Sequence, residues 1–217
     1  MINKILTAYE WRHACKEFDS SRKISQGDFE FLLRIISLSP SSFGLQPYEV
    51  FVLQNSNLLT KLHPHLWGAQ KQLFSASHVL MFVAKKDVTV SDLYFEHMLM
   101  DVQKTPDEML DMRRNLIREH QATEVNVNDN PRYLVDWATK QAYIALGNVM
   151  SAASQIGIDS CPVEGFIKDK TTQVLRENKV FDANKYAVAV FCCLGYRLTP
   201  PSRPKTRKAI DELVHYC

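Results

Sequence analysis

Apolar side chains at the start of the chain recur every three or four residues, which predicts a short helix over residues 2–11. Residues 12–18 mix too many unlike side chains to continue that stripe, and we expect them to be extended. A second, amphipathic helix is predicted to begin at Ser25, which forms a capping signal with Asp28. It should end near Pro40, because the residue before a proline disfavours the helical conformation.

Four short runs rich in β-branched and aromatic residues predict buried strands. They cover residues 48–53, 78–83, 159–163 and 186–194. A polar helix around residues 171–177 separates the last two runs and completes an alternation of strands with helices.

The chain between the second and third predicted strands divides into two unlike parts. Residues from about 91 to 135 are polar and mixed in charge, with an evident loop at 126–131, and they predict a helical excursion on the surface. Residues 136–156 are rich in alanine and poor in charge, which predicts a long helix packed on several sides. The tail from about residue 197 is proline-rich and basic, unlike a core element, and we expect it to wrap across a partner or neighbour.

No repeat or low-complexity linker interrupts this alternation, so the sequence predicts one α+β domain over residues 1–217. Its sheet is expected to be central and mixed, mostly antiparallel, with helices on its flanks. The content of 46% hydrophobic and 23% charged residues is typical of a globular domain. The N-terminus is too polar for a signal peptide and no apolar stretch is long enough to span a bilayer, so we expect a cytoplasmic protein.

Charge, cysteines and glycines exclude several kinds of site. The 26 basic and 24 acidic residues are spread along the chain, which favours neither nucleic acid nor an acidic membrane as partner. Five cysteines without a CxxC pair argue against a disulfide framework and a zinc site, and His63 and His65 lack metal-ligand spacing. The glycines form neither GxGxxG nor GxxxxGK[ST], so a bound phosphate would need arginine and lysine side chains.

Two cationic segments could hold such a phosphate. In an extended chain Arg12, Ala14 and Lys16 lie on one face, which could grip a phosphate at one end and an electron-rich ring at the other. Residues 204–208 alternate cations in a similar way. Taken singly, the first segment is more simply a solvated basic edge and the second a mobile basic tail.

Two further segments could present polar groups to a ligand. Residues 39–42, followed by Gln46-Pro47, form a rigid helix exit rich in hydroxyl groups, although a plain turn explains them as well. Residues 162–166 end a strand in a proline, an acid and a glycine, which lets another backbone or a flat ligand approach closely. A simple strand-to-helix turn is the alternative for this segment.

Five segments, in this order and at these separations, resemble the nitroreductase family, in particular its oxygen-insensitive, flavin-reductase and dihydropteridine-reductase-like branch. They are RHACKEF at 12–18, SPSSFGLQPY at 39–48, SASHVLMF at 75–82, PVEGF at 162–166 and PKTR at 204–207. Each segment alone is a weak signal, but in register they extend over nearly the whole chain. The resemblance implies an FMN-dependent oxidoreductase with a nitroreductase-like fold, and a homodimer with the flavin at its interface.

The resemblance also implies the site. Arg12, Lys205 and Arg207 would hold the FMN phosphate, and His13 would contact the ribityl chain or the ring. Lys16 would lie at the pyrimidine side of the flavin, where negative charge accumulates on reduction. The other implied flavin contacts are Ala14, Pro40, Ser41, Ser42, Gly44, Gln72, Pro162, Val163, Glu164 and Gly165.

Within that set, Glu164 and Gly165 would lie near the reactive N5 of the flavin, and residues 40–42 would reach it from the second subunit. The chain departs from relatives where Ala14 replaces a serine and Gly44 replaces an asparagine. Ala69 and Gln72 stand where relatives often show an asparagine and a lysine near the ring. Gln72 could still donate an amide hydrogen bond, which leaves Lys16 as the main cation there.

The implied reaction is a ping-pong hydride transfer carried by FMN, without a catalytic side chain or a metal. NAD(P)H would reduce the flavin and leave, and a nitroaromatic, quinone, flavin or pteridine would then be reduced. Because the departures remove polar contacts to the flavin, an FMN-binding storage or redox-sensing protein with little turnover is the alternative. A helical interaction module whose basic tail binds a protein is a third possibility, and it predicts a colourless protein.

Overall fold

The computed structural model describes residues 1–217 and is built around one four-stranded sheet. The strands are β1 (Tyr48–Leu53), β2 (His78–Lys85), β3 (Asp159–Val163) and β4 (Tyr186–Gly195). Their order across the sheet is β1-β2-β4-β3, and every neighbouring pair is antiparallel. The predicted α+β class is confirmed, and all four strands lie where the sequence predicts them.

Helices cover most of the remaining chain. They are α1 (Ile2–Trp11), α2 (Gln26–Ser37), α3 (Ser56–Leu62), α4 (Gln72–Ser75), α5 (Leu93–His97), α6 (Asp107–Thr123), α7 (Arg132–Gln155), α8 (Lys168–Glu177) and α9 (Ile210–Leu213). Short 3-10 turns occupy residues 42–44, 63–65 and 67–69, and a π-helical turn occupies residues 98–102. None of the helices combines the length and the apolar character that a membrane span requires.

Both faces of the sheet are covered, which explains why the central strands are almost continuously apolar. Leu80 and Phe82 of β2 pack in one buried cluster with residues of α2 and α7. Their neighbours Met81 and Val83 point to the other face and pack in a second cluster with residues of α3 and α8. The alternation along β2 therefore divides the core into two layers.

The long helix α7 packs closely because its inward positions are small. Ala142, Ala145 and Val149 are fully buried against the sheet layer shared with α2. The helix begins at Arg132, four residues before the predicted start at 136, immediately after Pro131 at its N-cap. Proline lacks a backbone N–H and cannot stand in the interior of a helix, but it is tolerated where a helix begins.

Helices α3 and α4 lie between β1 and β2, where the sequence analysis predicted neither a helix nor a strand. The side chain of Asn55 caps α3 by accepting a hydrogen bond from the amide of Leu58. Leu58, Leu59 and Leu62 then point into the core. An N-cap residue followed by leucines at helical spacing was therefore the sequence signal for this helix.

The excursion consists of α5, the π-helical turn and α6, as the helical pattern predicted. It also has a small core of its own, in which Phe95, Leu99 and Ile117 are fully buried beside Trp137 of α7. This third cluster lies against the loop after α2, since it includes Leu45. The excursion is consequently packed onto the chain near residues 43–45.

At the end of β4, Gly195 allows a close approach between two segments. A Cβ atom built at Gly195 would lie 2.8 Å from Cδ1 of Phe18 and 3.2 Å from the backbone nitrogen of Ser77. Phe18 is buried and cannot move away without disturbing the core. Only a residue without a side chain fits here.

We predict that Gly195→Ala lowers the free energy of unfolding by about 1–3 kcal/mol, the usual cost of overpacking. Urea denaturation followed by circular dichroism measures this change. The matched control is Gly27→Ala in the first turn of α2, where a new Cβ atom meets nothing within 4 Å. Alanine at position 27 should leave the free energy of unfolding unchanged or raise it by up to about 1 kcal/mol. Equal free energies of unfolding for Gly195→Ala and Gly27→Ala would contradict the packing argument.

Candidate functional site

Residues 12–18 form an extended arm that runs beside the edge strand β3. Ala14 bridges to Ser160 in the parallel sense, and the amide of Cys15 donates to the carbonyl of Ser160 at 3.1 Å. Cys15 is buried, whereas Ala14 and Lys16 on either side of it are exposed. The arm therefore turns one face to the core and the other outward, as an extended chain with this sequence should.

The outward face of the arm and the C-terminal tail enclose a groove of about 780 Å³. Its lining comprises residues 10–17, Lys71 and residues 199–207. Six of the residues singled out in the sequence meet in it: Arg12, His13, Ala14, Lys16, Lys205 and Arg207. The two cationic segments, although nearly a chain length apart, are therefore the two walls of one site.

The cations in this groove lie close enough to repel one another. Burial lowers the pKa of Lys205, and the nearby positive charges of Arg12 and Arg207 lower it further. The Lys205 ammonium donates to the carbonyl of Tyr9, whose ring lies 4.9 Å from the Arg12 guanidinium. The Nε–H of Arg12 is buried without an acceptor. A bound anion would relieve this repulsion and supply the missing acceptor.

A buried ion pair lies behind the arm. Nε and Nη2 of Arg197 contact both carboxylate oxygens of Asp159 at 2.6–2.9 Å. The same guanidinium lies 3.9 Å from the centre of the Trp11 ring, and the backbone of Arg197 bridges to Phe18. Neither charged residue was predicted, because nothing in the sequence links the start of β3 to the segment after β4.

His13 is adjacent to this pair and is held in its neutral form. Burial lowers the pKa of His13, the positive charge of Arg197 lowers it further, and Asp159 opposes the shift. Nδ1 of the ring is buried and has no hydrogen-bond partner. The arm thus presents an uncharged imidazole with an unsatisfied nitrogen next to the cations of Arg12 and Lys205.

The segment 162–166 makes a close contact with another backbone segment. Either such a contact or a flat ligand was predicted from the glycine in this segment. The amide of Gly68 donates to the carbonyl of Gly165 at 2.8 Å, and a Cβ atom at Gly165 would lie 2.8 Å from Cα of Gly68. The Glu164 carboxylate accepts from the Tyr143 hydroxyl at 2.5 Å. Burial and this bond raise the pKa of Tyr143. Pro162 lies on the edge strand, where a missing amide is tolerated.

Gln72 contacts Cys161 of β3, and the charge of Lys16 acts on the same thiol. The Gln72 amide is buried and donates to the carbonyl of Gly68 at 3.3 Å and to Sγ of Cys161 at 3.7 Å. Burial raises the pKa of the Cys161 thiol, and the positive charge of Lys16 opposes that shift. Lys16 is thus close to this group while its own side chain remains exposed.

The loop after α2 lies away from the groove. Its residues Pro40, Ser41, Ser42 and Gly44 do not belong to the groove lining. The Ser42 amide donates to Oε1 of Gln141 on α7 at 2.8 Å, which fastens the loop to the long helix. Within one chain, the groove therefore gathers only part of the sequence-predicted residues. The loop after α2 lies outside its lining, and so do Gln72, Pro162, Val163, Glu164 and Gly165.

A family model described as "Nitroreductase family" matches residues 9–196 of the chain. The chain belongs to the nitroreductase family. Among its relatives, "Putative NAD(P)H nitroreductase YfkO" of Bacillus subtilis is 42% identical, over 98% of this chain and 97% of its own length. A similarly named Staphylococcus haemolyticus protein is 41% identical, over 100% of this chain and 98% of its own. The named activity of these relatives is that of an oxidoreductase.

Solved structures show the same nitroreductase fold at low sequence identity. A nitroreductase-like protein from Streptococcus mutans superposes with a TM-score of 0.82 at 18% identity, over the whole of both chains. A structure from Exiguobacterium sibiricum, described as a "putative nitroreductase in complex with FMN", has a TM-score of 0.78 at 19% identity, covering 100% of this chain and 97% of that one. The fold of this nitroreductase-family chain is therefore the family's fold.

We predict that Asp159→Asn lowers the free energy of unfolding by about 3 kcal/mol, because it leaves the Arg197 charge buried without its partner. The two side chains are only 2% and 17% exposed. Chemical denaturation measures the loss. Glu17→Gln is the matched control, since the Glu17–Lys71 pair is 41% and 68% exposed and should contribute less than about 1 kcal/mol. Similar decreases in the free energy of unfolding for both variants would contradict a larger contribution from the buried pair.

Proposed function

We propose that the protein is an FMN-dependent NAD(P)H oxidoreductase that reduces nitroaromatics, quinones, flavins or pteridines by a ping-pong mechanism. The observation that carries the proposal is the convergence of Arg12, Lys205 and Arg207 on one groove beside the edge of β3. The family and the FMN complex of a structural neighbour support the identity of the cofactor.

The residues of the groove fit the phosphate and ribityl end of FMN. Three cations that repel one another would be neutralised by a phosphate dianion, which offers several acceptor oxygens. The buried Nε–H of Arg12 lacks an acceptor, and Nδ1 of His13 lacks any partner. A phosphate and a polyhydroxyl chain supply both kinds of partner, so the groove suits this end of the cofactor.

The other end of the arm would hold the flavin ring. Lys16 would place a positive charge near the pyrimidine side, where it stabilises the negative charge of the reduced flavin. The Gln72 amide already bonds to Gly68 and Cys161, so it adds little charge-assisted binding. Glu164 is held by Tyr143 and borders the ring without acting as a base, and when bound, FMN itself accepts and donates the hydride.

We further propose a homodimer in which Pro40, Ser41, Ser42 and Gly44 complete the flavin site of the second subunit. These residues do not line the groove of their own chain. Large apolar side chains at both ends of the chain are exposed, including Ile2 at 80% and Ile210 at 79%. A second copy of the chain would remove such surface from water.

The first test is an anaerobic absorbance spectrum of the protein after incubation with FMN and removal of the excess. We expect a flavin spectrum that bleaches with NADH or NADPH and returns when a nitroaromatic or quinone is added. Bound flavin that neither nicotinamide bleaches would indicate a storage or sensing protein. A protein that takes up no FMN would overturn the flavin assignment altogether.

We predict that the double variant Lys205→Ala/Arg207→Ala binds FMN about 100-fold more weakly, because it removes two charge-assisted partners of the phosphate. Fluorescence titration of FMN measures the affinity, and circular dichroism should show an unchanged fold. Lys208→Ala is the matched control, since Lys208 is a tail cation outside the groove lining. Full retention of FMN by the double variant would show that the tail does not hold the phosphate.

A further inference from the structure

The turn after α2 has an unusual backbone. Phe43, Gly44 and Gln46 all adopt positive φ angles, of 53°, 67° and 43°. Glycine adopts such angles freely, but a bulky residue like Phe43 does so only where its surroundings hold it. The neighbours of the turn must therefore supply the interactions that keep this conformation.

The excursion supplies them, first through Gln103. Its Nε2 donates to the carbonyl of Phe43 at 2.9 Å. A Cβ atom built at Gly44 would lie 3.2 Å from the same nitrogen, so the amide packs directly on the turn. Gln103 thus touches both left-handed residues at the centre of the turn.

Arg113 on α6 fixes the orientation of that amide. Its Nη2 donates to Oε1 of Gln103 at 2.8 Å. Because a guanidinium has no acceptor, the amide oxygen must face Arg113, and the amide NH₂ must then face Phe43. The pair is therefore directional, with Arg113 acting on the turn through Gln103.

Two aromatic residues of the excursion hold the rest of the turn. The His120 ring lies edge-on to Phe43, with 5.0 Å between ring centres. The Tyr94 hydroxyl donates to the carbonyl of Gln46 at 2.6 Å and lies 3.0 Å from that of Leu45. Burial raises the pKa of Tyr94, which keeps the hydroxyl protonated as a donor.

We propose that Gln103 is a positioning residue for the flavin, which it affects through the Phe43–Gly44 turn, with Arg113 orienting its amide. Gln103 and Arg113 together form a clamp on the turn. This clamp holds the turn in the shape that presents Ser41, Ser42 and Gly44 to the cofactor of the second subunit. This role rests on the proposed flavin site. It also means that the excursion, residues 91–135, borders the site and sets the geometry of the loop that completes it.

The sharpest variant is Gln103→Glu, which keeps the size of the side chain and the partner of Arg113 but removes the N–H donor to Phe43. Hydrogen exchange of the FMN-free protein should show faster exchange confined to residues 39–46. FMN affinity should fall about fivefold, the weight of one ordinary hydrogen bond. Arg113→Ala should change hydrogen exchange and FMN affinity in the same direction but by less. The double variant Gln103→Glu/Arg113→Ala should bind FMN no more weakly than Gln103→Glu alone.

Arg118→Ala is the matched control on the same helix, since Arg118 bonds to Asn115 within α6. It should change neither exchange nor FMN affinity. Unchanged exchange of residues 39–46 in Gln103→Glu would overturn the clamp, whether or not the protein binds flavin. Faster exchange with unaltered FMN affinity would overturn the positioning role. Failure of the unmodified protein to bind FMN would overturn the proposed function, and the role at the flavin with it, while the exchange measurement still reports on the clamp itself.

Discussion

The buried pair of Asp159 and Arg197 is the interaction on which the arrangement of the candidate site depends. Asp159 begins β3, and Arg197 follows the end of β4, so the pair fastens two neighbouring strands at the same end of the sheet. Arg197 also stacks on Trp11 and bridges through its backbone to Phe18, which lie at the two ends of the arm. The ion pair therefore acts together with the hydrogen bond from Cys15 to Ser160 in fixing the arm relative to the sheet. This rigid support holds the outward-facing cations in place.

The same pair also acts on His13. Burial and then the positive charge of Arg197 lower the pKa of the imidazole, whereas Asp159 opposes that shift. Lys205 and Arg207 come from the tail, which has no buried core residues, so they meet Arg12 only because the tail folds back over the arm. Like charges gathered in this way destabilise the anion-free protein. A ligand that neutralises them therefore binds and stabilises the fold at the same time.

Local signals in the sequence were sufficient for most of the elements, whereas the contacts between elements were not predictable. The Ser25 cap set the start of α2, and runs of β-branched and aromatic residues set β1 and β2, because these features depend on neighbours along the chain. The leucines after Asn55 carry an equally local signal for α3. The contact of Gly68 with Gly165 joins segments remote in sequence, and no single sequence encodes which glycine another will meet. Two of the five family-like segments, 12–18 and 204–207, contribute residues to the groove, but only the fold shows that Arg12 and Lys205 are opposite walls.

The departures from the family pattern acquire a physical meaning in this structure. The family resemblance leads us to expect an asparagine where this chain has Gly44, and here the amide of Gln103 packs beside Gly44. A side chain at that position would press on this amide at about 3.2 Å, so the glycine leaves room for an amide group that comes from the excursion. Gln72 stands where the family resemblance leads us to expect a lysine. Its amide is buried against Gly68 and Cys161, where an ammonium group would be costly to bury. In the proposed flavin site the positive charge would come from Lys16, whose exposed position requires no such burial.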